Sequence, residues 1–513
     1  MILNRSINRR QFLQLSGGTA GALLLNGLSG SALATLLAAG TVIEKEELCT
    51  AGSNHAVITW VTPEQNTDTS LWVGSYKSSL KKLTVEQDKE FHWAEVRNLQ
   101  PATRYWYQVE SNGARGSLNS FKTLPAPEGR YLFSLALFSD THIASGDSMG
   151  DMNEIYFGKL TEYSKDLLVQ CIRDSKQRES DLAVITGDLT DSSYLEQYLL
   201  LKEEILPEFG AMPYDTCIGN HDEYMEKSNG GLGEPGYLEY ICSHEKPYGS
   251  FMYQDHQFIL LDSSKKDNDW GTIDGEQLEW LRETLRKGGG RPSYLFFHHP
   301  CNGPDVWFGI DNFLSFKNLI NDFPGVQAVF NGHMHRNKVT TNRLMTRELP
   351  YVELPATVQF PCGYGIVRVY EEGFEYNSYK VSRLDLAEMS RERVILKSLG
   401  SAIYTWYAFG DIGDRSIAYF NGALHRSAQY ELAVTLDSAR AVDLYEKAQA
   451  YDGATLAPAA EAGKIKVILG RYDALAEARE EQRRKAFIYG VRDLLVTKMG
   501  NYDVPEDVKR QQE

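Results

Sequence analysis

The chain has 513 residues, of which 42% are hydrophobic and 24% charged, enough for two or three domains with complete cores. Its formal net charge of −16 and the lack of any basic run argue against nucleic acid or anionic lipid as a partner. A small soluble ligand fits that charge better than a long polyanion.

Residues 1–40 read as a processing segment rather than as part of a fold. Asn8-Arg9-Arg10-Gln11-Phe12-Leu13-Gln14 is followed by a moderately apolar stretch from Leu15 to about Ala39, with no acidic residue before Glu44. Ala32-Leu33-Ala34 offers an A-x-A cleavage site. The segment resembles a twin-arginine signal peptide. That resemblance implies the twin-arginine export machinery as a partner and a periplasmic or extracellular location, and the glycines and short apolar runs of the stretch argue against the alternative of a retained membrane anchor. Cleavage there removes Arg5, Arg9 and Arg10 and no acid, so the exported body is more acidic still.

From 41 to 125, apolar and polar residues alternate with a period of two and turn residues separate the runs, which predicts a small all-β sandwich. Leu99, Pro101, Thr103, Tyr105, Tyr107 and Val109 at alternate positions resemble a fibronectin type III strand signature, with Trp60 as the core tryptophan of an early strand. Purple acid phosphatases carry a similar module before their catalytic domain. The role this implies is a structural companion to the domain that follows, with cell-surface or carbohydrate binding as the alternative.

Five short motifs then follow in order: Asp140-Thr141-His142, Gly187-Asp188, Gly219-Asn220-His221-Asp222, His298-His299-Pro300 and Gly332-His333-Met334-His335. Carboxylates, imidazoles and a carboxamide are what a pair of divalent or trivalent cations needs for six-coordinate oxygen and nitrogen sites. Each motif follows an apolar run that reads as a buried strand, so the ligands gather at strand ends, where an α/β sheet opens its binding crevice.

Together the motifs resemble those of the calcineurin-like metallophosphoesterases, in the pattern of the branch containing class III cyclic nucleotide phosphodiesterases. The resemblance covers residues 130–385 and implies a four-layer α/β/β/α sandwich. It implies one metal on Asp140, His142, Asp188 and His335, and a second on Asp188, Asn220, His298 and His333, with Asp188 bridging. The nucleophile implied is a metal-bridging hydroxide, and His221 is the non-ligand histidine that protonates the leaving group. Asp191 is expected to pair with His221. Purple acid phosphatases have a tyrosine at the position of Asp191 and lack the histidine of D-x-H, so this chain departs from them at Asp191 and His142. Of the His298-His299 pair, His298 is the expected ligand. The metals are Fe, Mn, Zn or Co, with no choice among them legible.

Asp274 to Leu285 has helical apolar spacing, with Leu278, Trp280, Leu281 and Leu285 as core, and stops at Gly288-Gly289-Gly290. Two stretches, Ile143 to about Tyr163 and Glu223 to about Gly249, read as loops over the site, the second carrying Tyr237 and Tyr240. Asp305, Trp307 and Phe308 are candidates for an aromatic wall. The six cysteines show no metal-binding spacing; export would permit pairing, and Cys217 reads as a buried small hydrophobe.

Residues 386–513 fall outside the resemblance and read as a mixed, mainly helical extension with an amphipathic, charge-rich stretch. The reading as a whole is an exported dinuclear phosphoester hydrolase, phosphodiesterase or phosphatase, acting on a small soluble substrate. The alternative is a non-catalytic cell-surface binding module on the same fold.

Overall fold

The structure, a computed structural model, describes residues 41–63, 66–145, 158–301, 309–341, 348–397 and 403–430. The signal segment, Asp305, Trp307, Phe308 and the amphipathic stretch of the extension lie outside the described residues.

The first unit is built from β1 (Glu44–Ala51), β2 (His55–Val61), β3 (Thr67–Gly74), β4 (Lys81–Lys89), β5 (Phe91–Arg97), β6 (Arg104–Ser111), β7 (Ala114–Arg115) and β8 (Asn119–Lys122). One sheet runs β1-β2-β5, and the other contains β8-β6-β3-β4 with β7 paired to β6. The period-two pattern turns Ile58, Trp60, Leu71, Ala94, Tyr107, Val109 and Phe121 into one shared core. Trp60 donates its Nε1–H to Ser111 Oγ at 2.9 Å and stacks on His92 with ring centroids 4.9 Å apart.

His92 is fully buried, its Nε2 meeting the Thr62 and Thr67 hydroxyls and its Nδ1 the Thr69 hydroxyl. Burial pushes its pKa down from 6.5 to about 4, against a smaller upward pull from Asp68. The unfolded chain therefore binds the proton first, so this residue's contribution to stability is complete above pH 6.5 and is lost as pH falls toward about 4. His92→Gln should flatten the decline in urea midpoint between about pH 7 and about pH 5. An unchanged decline would assign it to other groups.

The second unit contains β9 (Tyr131–Phe138), α1 (Ser164–Gln177), β10 (Leu182–Ile185), α2 (Leu195–Leu200), β11 (Tyr214–Thr216) and α3 (Glu234–Tyr240). It continues through β12 (Gly249–Tyr253), β13 (His256–Leu260), α4 (Gly275–Gly288), β14 (Ser293–Phe296), α5 (Phe313–Asn321) and β15 (Val326–Asn331). Then come β16 (Lys338–Thr341), β17 (Pro350–Glu353), β18 (Gly363–Tyr370), β19 (Gly373–Lys380), α6 (Leu384–Lys397), α7 (Ile403–Phe409) and α8 (Ile412–Arg415). The last described elements are β20 (Ser416–Phe420), β21 (Ala423–Arg426) and β22 (Ala428–Tyr430).

These strands form a seven-stranded sheet, β11-β10-β9-β18-β19-β20-β21, and a six-stranded sheet, β12-β13-β14-β15-β17-β16. Leu135, Leu137 and Val184 of the first meet Phe258, Phe296 and Phe330 of the second between the sheets. The opposite faces of the same strands are also apolar. Ala136, Phe138 and Ile185 pack on Leu168 and Ile172 of α1, while Ile259, Leu295 and Val329 pack on Leu281 and Leu285 of α4 and on Phe316 of α5. Burial on both faces explains why these strands read as continuous apolar runs. The layers are α/β/β/α, as expected.

Helix α4 starts where Asp274 accepts a hydrogen bond from Gln277 N at 2.7 Å and stops at Gly289, which takes the left-handed conformation. Leu281 and Leu285 are buried, and Leu278 and Trp280 half-buried against the same cluster. The stretch after Glu223 is not all loop. Its Pro235 sits in the first turn of α3, and Tyr237 is fully buried with its hydroxyl donating to Thr216 O at 2.8 Å, which makes it core and not part of a substrate entrance. All six cysteines are free, and Cys217 is fully buried. No helix among the described residues is long and apolar enough to cross a membrane.

Beyond residue 386 the described chain contributes strands as well as helices. β20 pairs with β19, placing Ile417 and Tyr419 between the two sheets, and β22 pairs with β8 of the sandwich. Arg415, buried, donates to the Cys49 and Leu48 carbonyls at 2.9 and 2.7 Å, and Thr50 donates to Ser378 O at 2.6 Å. These contacts fix β1 of the sandwich against the second unit.

Candidate metal centre

The loops that leave β9, β10, β11, β14 and β15 converge at one edge of the two sheets. Asp140 and His142 follow β9, Asp188 follows β10, Asn220 and His221 follow β11, His298 follows β14, and His333 and His335 follow β15. Five of these residues have positive φ: Asp140 at 51°, His142 at 40°, Asp188 at 50°, His333 at 70° and His335 at 49°. Left-handed backbone costs a non-glycine residue about 1–2 kcal/mol, a cost accepted here because it aims side chains that no regular strand would aim together.

The motif glycines are steric necessities. A Cβ on Gly187 would lie 2.8 Å from His298 Cβ, and one on Gly332 would overlap the Ser139 hydroxyl and approach Asp140 Oδ2 to 2.7 Å. At Gly219 the intruding atom would meet the main-chain nitrogen of Asp188, which cannot move without the loop. Asp222 ties the same loops together, its buried carboxylate accepting from Gly219 N, Leu189 N, Thr190 N and Thr190 Oγ1 at 2.8–3.0 Å. Gly219→Ala should therefore cost about 1–3 kcal/mol of stability or more and displace Asp188. Thermal melts and metal analysis of the variant check this, and a wild-type result in both would remove the steric argument.

The side chains form two overlapping clusters. In the first, the ligating atoms of Asp140, His142, Asp188 and His335 all lie within 4.8 Å of one another; in the second, so do those of Asp188, His298 and His333. Asn220 Oδ1 belongs with the second, 3.0 Å from both His298 Nε2 and His333 Nδ1. Asp188 is common to both. Its Oδ1 is 3.2 Å from His298 Nε2, and its Oδ2 is 3.5 Å from His142 Nε2.

The remaining ring nitrogens are held from outside. His298 Nδ1–H donates to Thr186 O at 2.9 Å and His335 Nδ1–H to Gln359 Oε1 at 2.5 Å, while His142 Nδ1 lies 3.1 Å from Asp191 Oδ1 and 3.3 Å from Lys159 Nζ. The bonds of His298 and His335 fix a tautomer that leaves Nε2 for the cluster. The expected link between Asp191 and His221 exists through the main chain: His221 Nδ1–H donates to Asp191 O at 2.6 Å, whereas the carboxylate hydrogen-bonds His142. His299 stands beside the cluster, not in it. It is fully buried, with Nδ1 2.9 Å from Ser263 Oγ. Tyr194 caps α2 and donates to Ser228 O.

Burial alone would raise the Asp188 carboxyl, but the facing His298, His221 and His142 rings hold it well below the ordinary carboxylate range. Burial acts against a proton on His298, yet the charges of Asp188 and Asp140 push that imidazole up to about 9. His333 is pushed the other way, to about 3, by burial and by His298. The ensemble is two carboxylates, four imidazoles and one amide oxygen, a donor set that suits two borderline cations and would release a proton on binding them.

Sequence reading missed the outer contacts. Asp222 is half-visible as part of a motif, and Tyr224 sits a turn after Asn220. Gln359 and Lys159, whose Nζ lies 3.3 Å from His142 Nδ1, come from irregular segments with no pattern to flag them.

A profile of the calcineurin-like phosphoesterase family matches residues 133–337, and one of the purple acid phosphatase N-terminal domain matches residues 47–123. The chain is 30% identical over 221 residues to a probable glycerophosphodiester phosphodiesterase of Arcobacter nitrofigilis, an alignment covering 39% of this chain and 71% of that one. It is 27% identical over 216 residues to a 3′,5′-cyclic adenosine monophosphate phosphodiesterase of Pseudomonas aeruginosa, over 41% of this chain and 72% of the other. Among solved structures, a purple acid phosphatase from yellow lupin seeds aligns over 67% of this chain and 73% of its own, at 17% identity and a TM-score of 0.36.

Proposed function

The chain belongs to the calcineurin-like phosphoesterase family and is a phosphoester hydrolase, and from that premise we propose that it is an exported two-metal enzyme acting on small soluble phosphodiesters. The observation that carries the two-metal reading is the division of the Asp188 carboxylate, one oxygen toward each cluster. Bound there, two cations of the Fe, Mn, Zn or Co type supply Lewis-acid polarisation of the phosphoryl oxygens and an acidified water.

The protein's own groups do the rest. Asp140, His142, Asp188 and His335 would hold one cation, and Asp188, Asn220, His298 and His333 the other. His221 reaches the space between the clusters, its Nε2 4.0 Å from Asp188 Oδ2, with a side chain still 17% exposed. Because its Nδ1–H is committed to the Asp191 carbonyl, proton exchange is confined to Nε2, which suits donation to a leaving oxygen. Asp191 acts on both histidines, by carbonyl on His221 and by carboxylate on His142, and so is a positioning residue.

Diester preference is supported by His142 in the first cluster and by the names of the relatives. Export through the twin-arginine machinery, to a periplasmic or extracellular location, is supported by the Arg9-Arg10 motif and the apolar stretch behind it. The sandwich reads as a companion domain, since Arg415 and β22 bind it to the body.

Metal-analysed protein should hydrolyse bis-p-nitrophenyl phosphate faster than p-nitrophenyl phosphate, with both activities lost in Asn220→Ala. A reversed preference would make it a phosphomonoesterase, and a protein that binds no metal would overturn the reading.

A further inference from the structure

Asn220 is the one carboxamide in the two ligand sets, and its two ends differ in whether oxygen or nitrogen is presented. Oδ1 faces the second cluster; Nδ2 points away and donates to the Tyr224 hydroxyl at 2.8 Å. That hydroxyl donates its hydrogen bond to Asp269 Oδ1 at 2.5 Å, and Lys227 Nζ donates to it at 2.9 Å while also pairing with Asp269. Tyr224 is 6% exposed, and its ring packs against His221 with centroids 4.6 Å apart. Lys227 and Asp269 are more exposed, at 40% and 38% of their side chains.

We propose that Tyr224 is a positioning residue that holds the Asn220 carboxamide oxygen-inward and so sets the affinity of the second metal position selectively. The inference rests on the two-metal reading above. A carboxamide turned by half a rotation would present an NH2 group, which cannot ligate a cation. What prevents the turn is an acceptor at Nδ2. A tyrosine hydroxyl is a dependable acceptor only if its own proton is committed elsewhere, and Asp269, its charge held by Lys227, commits it. The direction of the whole chain of bonds therefore follows from the exposed carboxylate, through the tyrosine, to the buried ligand. Donation from Nδ2 also draws negative charge onto Oδ1, which strengthens it as a ligand.

The test is titration of the metal-free full chain with Mn2+ by calorimetry, with Tyr224→Phe beside wild type. Phenylalanine keeps the ring against His221 and removes only the hydroxyl. Wild type should take up two equivalents, and Tyr224→Phe should bind the second about 10–100-fold more weakly with the first unchanged. Excess Mn2+ should then restore kcat with KM unaltered, which a general loss of structure would not permit. Should Tyr224→Phe fail to fold, Asp269→Ala, at the more exposed end, removes the acceptor of the tyrosine O–H and should show the same selective weakening. Wild-type affinity for both equivalents in the variant, or equal weakening of both, would overturn the inference. Fewer than two equivalents in wild type would instead overturn the two-metal reading.

Discussion

Asp188→Ala should abolish hydrolysis, lowering kcat/KM by about a thousandfold or more, and should remove both metals from the purified protein. Every other ligand serves one cluster, but Asp188 Oδ1 and Oδ2 serve one each, so a single truncation breaks both. Its carboxylate also accepts from His221 N at 2.9 Å, which fixes the start of the loop carrying Asn220 and His221. The expected fold of the metal-free variant is intact, because the strands that deliver the loops are held by the cores between and outside the sheets. Elemental analysis and circular dichroism, run beside the assay, separate loss of the centre from loss of the fold. Retention of one full equivalent of metal would show that the clusters are independent and that Asp188 does not bridge.

His221→Ala should act differently: metal content unchanged, and kcat lowered by about 10²–10⁴ on substrates whose leaving group needs a proton. On p-nitrophenyl esters the loss should be much smaller, because p-nitrophenolate leaves without one. The geometry behind this is the commitment of Nδ1–H to the Asp191 carbonyl, which leaves Nε2 as the exchanging nitrogen. Comparing an alkyl phosphodiester with the p-nitrophenyl diester gives the measurement. Equal losses on both would make His221 a substrate-binding group rather than an acid.

Much of this centre was legible in the sequence, and for a physical reason. A ligand at a strand end is preceded by a doubly buried, continuously apolar strand, and three of the motifs contain a glycine demanded by close approach: Gly187 to His298, Gly219 to Asp188 and Gly332 to Ser139. Such signals are local. Of the two adjacent rings, His298 lies in the cluster and His299 against Ser263.

What was not legible depends on neighbours distant in sequence. Asp191 was expected to turn its carboxylate to His221, but which of two adjacent imidazoles receives the carboxylate and which the carbonyl is decided by the path of the loop after β10. Tyr237 lies among Gly231, Gly233, Pro235 and Gly236, a composition that reads as loop, yet the proline fits a first helical turn and the tyrosine is core. The strands after residue 416 are short and flanked by turn residues, and their partners are β19 and β8, far back in the chain. Gln359 has no periodicity to betray that it orients His335.

The return of the chain to its starting unit has a consequence for how the molecule comes apart. The sandwich is begun by β1 and completed by β22, and Ile412 contributes to its core, so a unit that looks separable in sequence is stitched shut by residues from the far side of the large body. Melting the sandwich alone would mean stripping β22 from β8 and withdrawing Arg415 from the β1 carbonyls. The two units should therefore denature together, as one cooperative block, so that a single thermal transition reports on the sandwich and on the sheets that carry the candidate metal ligands alike.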